Sequence, residues 1–256
     1  MMRKFKIYFS LLLVLLPVFC SGQGKFYTTK ERLQNYGNLT TKVVLPGNLV
    51  LDEILQREVS AMWQITPYEF CTESEYESIK NDPHCFFLRM VTLQDSRAGD
   101  SGVVCLSLSK GGGTNRQSRD TAIHLIDLPV VSSPSMVSVF EETCFPAYIA
   151  IVQQFIVDAA ESERVANMGL AAYTTSIRKA RRFNIGFTAQ ESLRMLQMAE
   201  PDGAIAIVIG PPDANEKSWY YHMLIGTSDM KLYYYSRKKN SPSFTHMELK
   251  YLRQEK

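Results

Sequence analysis

The chain has 256 residues, 45% of them hydrophobic and 11% aromatic, which is enough to bury one large core or two small ones. Its formal net charge is +2. Removal of a leader at residues 1–22 takes away three basic residues and leaves 25 basic against 26 acidic residues, a net charge of −1. A chain so close to neutral is not expected to have nucleic acid as its main partner.

Residues 1–22 have the three-part layout of a secretory signal peptide. Basic residues precede an apolar run at residues 7–19, which is too short for a comfortable membrane span, and small residues follow. We predict cleavage before Gln23 and export from a bacterium to the periplasm or beyond. The alternative is lipid attachment at Cys20, which the bulky Phe19 before it disfavours. No transmembrane helix is predicted in the mature chain.

Residues 41–131, after an amino-terminal segment at residues 23–40, predict a first α/β unit. A strand at residues 43–45 is followed by a helix at residues 49–63, whose apolar residues fall three or four apart. Asn48 is a good N-cap for that helix. Strands that are connected through helices usually run parallel, so we expect parallel pairing here.

The unit continues with a strand at residues 65–70, in which Pro67 indicates either a sheet edge or the true start of the strand. Thr72 and Glu75 form a capping box that opens a short helix. Residues 85–91 are almost continuously apolar, as expected of a strand covered on both faces.

Two alternating strands follow at residues 103–109 and 122–131, with a polar, glycine-rich loop between them. Glycines beside a lysine at residues 110–113 can indicate phosphate binding. The Walker spacing is absent and a strand follows the loop, so a long hairpin loop is the favoured interpretation.

Residues 132–256 predict a second unit. Pro146 suits the first turn of a central, well-buried helix that ends near Glu161. A helix at residues 165–182 ends in four basic residues, which are typical of a solvated face rather than of a ligand site.

The second unit then repeats the pattern of the first. Strands are predicted at residues 183–187, 204–209, 219–225 and 231–235, the last two as a hairpin. Two capping boxes precede helices: Thr188 with Glu191, and Thr245 with Glu248. Both units therefore have the same predicted order: a helix, a strand, a helix that begins with a capping box, and three strands. We predict an α/β fold with a mixed sheet, built from two tandem, diverged α-β-α-β-β-β units with helices packed on the sheet, in one globular domain.

Four cysteines remain after cleavage: Cys71, Cys85, Cys105 and Cys144. An even count in an exported protein favours disulfides. The predicted strand order, however, separates Cys71 from Cys85, and Cys85 from Cys105, by more than the roughly 7 Å that a disulfide tolerates between Cα atoms. We expect buried free thiols.

The sequence identifies no catalytic, cofactor-binding or metal-ligating residue and predicts no cofactor. The motifs G-x-S-x-G, H-E-x-x-H and C-x-x-C are absent, and the histidines never fall at ligand spacing. They are His84, His124, His222 and His246. His124 and His222 lie in predicted strands, where an ordinary packed or surface histidine is favoured. His84 and Cys85 are strand neighbours that point to opposite faces, which makes them a poor base and nucleophile.

The run from Leu-Pro-Gly-Asn at residues 45–48 through Tyr-Glu-Phe-Cys-Thr at residues 68–72 resembles uncharacterised exported proteins of Bacteroidales-type bacteria. The strand-helix-strand pattern of the first unit is also similar to the TolB-amino-terminal-like domain of envelope assembly proteins. The first resemblance implies export without implying an activity. The second covers the first unit only and carries over no functional residue.

These observations favour an exported, non-catalytic cell-envelope protein that binds a protein or another envelope component. The alternative is an envelope hydrolase whose site is assembled from distant residues. A sensor of a small extracellular ligand is a third class, for which the sequence has no positive signal. A deep pocket with convergent titratable groups would favour the enzyme.

Overall fold

The computed structural model describes residues 28–94, 99–113, 122–173, 183–245 and 248. Within these ranges the strands form two mixed sheets, of five and four strands, and helices pack on their faces. The predicted α/β class is confirmed, with the strands divided between two sheets.

The first sheet consists of β1 (Thr40–Leu45), β2 (Tyr68–Thr72), β3 (Cys85–Thr92), β4 (Val104–Lys110) and β5 (Ile123–Val131). Its strand order is β2-β1-β3-β4-β5. β1 pairs in parallel with both β2 and β3, and β4 and β5 add antiparallel strands. The predicted parallel pairing and the hairpin around the glycine-rich loop are both confirmed.

Two helices connect the parallel strands. α1 (Leu49–Met62) begins after Asn48, whose side chain accepts hydrogen bonds from two backbone N–H groups of the first turn. α2 (Glu73–Ile79) begins with the predicted capping box. The strand before α2 starts at Tyr68 rather than at residue 65, because Pro67 cannot donate to the ladder. It is also an edge strand, so both meanings of Pro67 apply.

The second sheet contains β6 (Asn184–Gly186), β7 (Gly203–Ile209), β8 (Trp219–Gly226) and β9 (Leu232–Lys239), in that order. β6 and β7 run parallel, and the remaining pairs are antiparallel. The short β6 is one edge of the sheet.

In the described ranges, further helices that join or cover the sheets are α3 (Val139–Thr143), α4 (Phe145–Glu161), α5 (Glu163–Met168) and α6 (Ala189–Met198). The predicted helix at residues 165–182 is wrong in its bounds. α5 starts earlier and ends at Met168, since Gly169 adopts a positive φ of 57° and the chain continues as a 3-10 turn through residue 173. The basic cluster of that prediction lies outside the described residues.

A single hydrophobic cluster contains residues of both sheets, with α4 in its middle. Phe155 and Ile156 of α4 are fully buried there, and α4 also contacts α1 and β5. In β7 the isoleucines face this cluster, whereas Ala204 faces a separate cluster on the other side of the second sheet. The strand alternation thus assigns one face of the second sheet to the shared core.

The four cysteines are buried, and none forms a disulfide. Cys71 lies beside Val44 and Cys85 beside Thr40, at opposite ends of the intervening β1. Cys105 pairs with Val91, at the far end of β3 from Cys85. The predicted separations are therefore confirmed.

Several predicted features fall outside the described residues: the leader, residues 114–121 of the glycine-rich loop, and His246. In the described part of the chain, no helix combines the length and the apolar character needed to cross a membrane.

Candidate functional site

A cleft of about 370 Å³ opens between the two sheets. β4 and β5 form its wall on the first sheet, and β8 and β9 form its wall on the second. The loop after β3 and the end of α5 complete the lining. Polar and apolar side chains share the surface, as in many sites for small molecules.

The turn between β3 and β4 is fixed against the second sheet. Gly99 has a φ of 70°, and a Cβ at this position would lie 2.3 Å from the carbonyl oxygen of Lys217. The Gly99 carbonyl accepts a hydrogen bond of 2.7 Å from the backbone N–H of Trp219. Only glycine fits this close approach, which places the next residue, Asp100, in the wall of the cleft.

Asp100 is only 4% exposed, and two side chains of the second sheet hold it. Its Oδ2 accepts hydrogen bonds from the Tyr221 hydroxyl at 2.5 Å and from Arg237 Nη2 at 2.7 Å. Burial, and then the bond to Asp100, raise the pKa of Tyr221 well above its usual value, so the phenol stays protonated and donates.

Arg237 is held by aromatic rings as well as by Asp100. Its guanidinium carbon lies 4.5 Å from the centroid of the Trp219 ring and 5.8 Å from that of Tyr221. Cation–π contact and the ion pair together restrict the guanidinium to one place in the wall.

On the opposite wall, His124 Nε2 lies 3.3 Å from Asp127 Oδ2. In a regular strand, residues three apart point to opposite faces. Here Ser109 pairs with His124 and Leu108 with Ile126, so a β-bulge forms at the intervening residue and turns His124 to the side of Asp127. The side chains are 44% and 39% exposed and remain accessible from the cleft.

Cys105 lies in the cleft wall but is not suited to nucleophilic attack. Burial, followed by the carboxylates of Asp127 and Asp100, raises the pKa of the thiol well above its ordinary range. The thiol is therefore protonated at neutral pH, and its 1% exposure closes it to a reagent.

The other described histidines serve elsewhere. His84 precedes β3 directly and does not line the cleft. His222 is fully buried on the other face of the second sheet, where its ring nitrogens lie 3.1 Å from Glu248 Oε1 and 2.7 Å from the Ser241 carbonyl oxygen. It belongs to a structural network.

Sequence reasoning missed the cleft because its groups are distant along the chain. Asp100 is separated from Tyr221 by 121 positions and from Arg237 by 137. The only local signal is the pair His124 and Asp127, whose spacing argues against a common face unless the bulge is anticipated.

In the described ranges, no three side chains of His, Cys, Asp or Glu are grouped so that they could hold a metal ion. No protein-family model, curated protein or solved structure matches the chain.

Proposed function

We propose that the protein is an exported, non-catalytic protein of the cell envelope that binds an envelope component in the cleft between its two sheets. Asp100, Tyr221 and Arg237 come from separate elements to one accessible cavity, and convergence alone would favour an enzyme. The observation that carries the non-catalytic proposal is that the three groups are hydrogen-bonded to one another, which makes them fixed binding groups rather than a poised nucleophile, acid or base. These groups are held in place before any ligand arrives, which lowers the entropic cost of binding.

Methionine methyl NMR tests the binding proposal. Met168 lines the cleft, whereas Met136 is 77% exposed and does not. Envelope extract, fractionated into small molecules, glycans and proteins, is added to the labelled protein. We expect one fraction to shift the Met168 signal and to leave the Met136 signal in place. Shifts confined to methionines outside the cleft, or none from any fraction, would contradict the proposal.

Export has its own test, because it depends on the leader at residues 1–22. Intact mass spectrometry of the protein from its native envelope should show a chain that begins at Gln23. A diacylglyceryl group on Cys20 would mean lipid anchoring instead, and a retained leader would refute processing.

The second candidate is an envelope hydrolase, which the contact between His124 and Asp127 favours. A carboxylate that orients an imidazole is half of a general-base arrangement, and such a base could activate water directly. Hydrolysis of an envelope ester or glycoside that disappears in both His124→Ala and Asp127→Asn would replace the non-catalytic proposal. Unchanged hydrolysis in both variants would identify a contaminant.

A further inference from the structure

The Asp100 carboxylate offers an unused acceptor to the cleft. Oδ2 accepts both the Tyr221 and the Arg237 hydrogen bond, and Oδ1 has no hydrogen-bond donor among the residues that the structure describes. The side chain is only 6% exposed. Oδ1 is not among the buried atoms that lack a partner, so it keeps some accessible surface, and a ligand that presents a donor here gains a charge-assisted hydrogen bond.

The charge around Oδ1 selects the kind of donor. Arg237 lies 2.7 Å from the same carboxylate and balances its charge. Because Asp100 is already paired with Arg237, an ammonium group on Oδ1 gains little net attraction there and must give up its hydration to enter the cleft. An anionic group is repelled by Asp127, which also lines the cleft. A neutral hydroxyl can donate to Oδ1 at a lower desolvation cost than an ammonium group and without the repulsion that an anion meets.

The rest of the wall suits a ligand with both hydroxyl groups and C–H faces. Tyr221 and Tyr235 lie with their ring centroids 6.4 Å apart, and Ile126 and Leu170 add apolar surface. Asp127 on the opposite wall is a second acceptor. The volume of about 370 Å³ lies at the lower end of small-molecule sites.

We infer that the cleft binds a neutral sugar unit, free or at the end of a longer chain. One ring hydroxyl donates to Asp100 Oδ1, a second donates to Asp127, and an apolar face of the ring packs against the tyrosines. This inference rests on the proposed binding function and names its ligand class.

Calorimetric titration with sugars that share a ring and differ in charge tests the inference. The panel contains neutral hexoses, N-acetylhexosamines and short oligosaccharides, with glucosamine and glucuronate as charged counterparts. At least one neutral sugar should bind, and its charged counterparts should bind about tenfold more weakly or worse. Among deoxy analogues of the sugar that binds, the one that lacks the hydroxyl donating to Asp100 should bind more weakly.

Three variants connect binding to the cleft. Met168→Trp puts a larger side chain into the cleft at a residue that takes no part in the Asp100 hydrogen bonds. Met136→Trp makes the same substitution at an exposed position outside the cleft. Sugar binding should be lost in Met168→Trp and kept in Met136→Trp. Asp100→Asn should weaken it at least about tenfold, as expected when a charged acceptor is replaced by a neutral one.

The outcomes separate the ligand class from the binding function. Tighter binding of glucosamine or glucuronate, blocked in Met168→Trp, would overturn the neutral sugar and keep the cleft as a binding site. Equal sugar binding in Met168→Trp would place the sugar elsewhere and overturn the inference. Failure of the whole panel would also overturn it, whereas the binding function fails only if no envelope fraction shifts Met168. If Asp100→Asn does not fold, the comparison of Met168→Trp with Met136→Trp and the titrations with deoxy sugars still test whether the sugar binds in the cleft.

Discussion

From β2 and from β6 onwards the two sheets have the same order of elements, a strand, a helix and three strands, but they pair their strands differently. In the first sheet, α2 leads from β2 to β3 across the intervening β1. In the second, α6 joins β6 to its immediate neighbour β7. Both helices begin with the same capping box, and both sheets end in two antiparallel strands.

The difference arises from β1, which has no counterpart in the second sheet. The strand that precedes α4 along the chain is β5, and it belongs to the first sheet. Because no parallel strand lies between β6 and β7, α6 connects two neighbouring strands instead of crossing over a third. Equal element order therefore does not establish equal topology, and the tandem duplication remains a prediction.

The largest expected effect tests whether the sheets share one core. Leu55 of α1 is fully buried in the cluster that joins both sheets. Leu55→Asp places an unpaired charge there, at a cost of several kcal/mol against a typical stability of about 5–15 kcal/mol. We expect the whole chain to unfold in one transition.

The two tryptophans provide the measurement, since Trp63 follows α1 and Trp219 begins β8. Denaturant titration of single-tryptophan versions should report the same midpoint from each. Val50→Asp, at a position of the same helix that is 54% exposed, is the matched control and should be nearly neutral. A native Trp219 signal in Leu55→Asp would show that the second sheet folds alone.

The next prediction compares an ion pair of each sheet. Glu248 Oε1 lies 3.1 Å from Nδ1 of the fully buried His222 and 2.9 Å from Nζ of Lys238, whose side chain is 29% exposed. Glu69, paired with Lys42 on the first sheet, has a side chain that is 65% exposed. Glu248→Ala should cost about 3–5 kcal/mol because it leaves buried partners unpaired. Glu69→Ala should cost at most about 1 kcal/mol, and equal losses in urea unfolding would refute the comparison.

The same network predicts an acid-sensitive stability. Burial alone would raise the pKa of Glu248, but hydrogen bonds from Thr245, Lys238 and Tyr234 outweigh burial and hold the pKa at about 2. This folded pKa lies below the unfolded value of about 4.3, so the contribution is complete above that value and is lost as pH falls towards 2. Urea midpoints from pH 7 to pH 2 should fall more steeply for the wild type than for Glu248→Gln. If the urea midpoints of the two proteins fall in parallel with pH, Glu248 does not cause the acid sensitivity.

Local signals in the sequence predicted the helices and strands well. The site depends on contacts between residues far apart in the chain, and the sequence did not reveal these contacts. Asn48, Thr72 and Thr188 each cap the helix that follows, because a cap depends on three or four consecutive residues. The wall at Asp100 depends on pairing between strands far apart in the chain. The side of the strand on which His124 lies depends on a bulge that the alternation of β5 does not reveal.

A smaller effect is expected at the contact between the sheets. Tyr221→Phe removes the 2.5 Å hydrogen bond to Asp100 and should cost about 2 kcal/mol, the usual range for a bond to a charged group. Tyr220→Phe changes the neighbouring phenol on the same strand and should be nearly neutral. In a double-mutant cycle with Asp100→Asn, the coupling should be about 1 kcal/mol. A coupling of zero would mean that the bond does not connect the sheets.

The smallest effect compares the two capping boxes directly. Thr72 accepts a hydrogen bond from the Glu75 backbone, and Thr188 accepts one from the Glu191 backbone, at 3.3 and 3.2 Å. Hydrogen bonds from the Thr72 backbone and from the Thr188 backbone lower the pKa of Glu75 and Glu191 respectively, so both boxes are charge-assisted.

Thr72→Ala and Thr188→Ala should each cost about 1 kcal/mol, and Thr→Ser at either site should restore most of the loss. The two boxes open helices that connect strands of different sheets. The stability loss of the double variant should therefore equal the sum of the two single losses within about 0.5 kcal/mol. Urea unfolding of the wild type and the five variants provides the values. A clearly larger loss at Thr72 would mean that a cap matters more on a helix that crosses a strand than on one that joins neighbours.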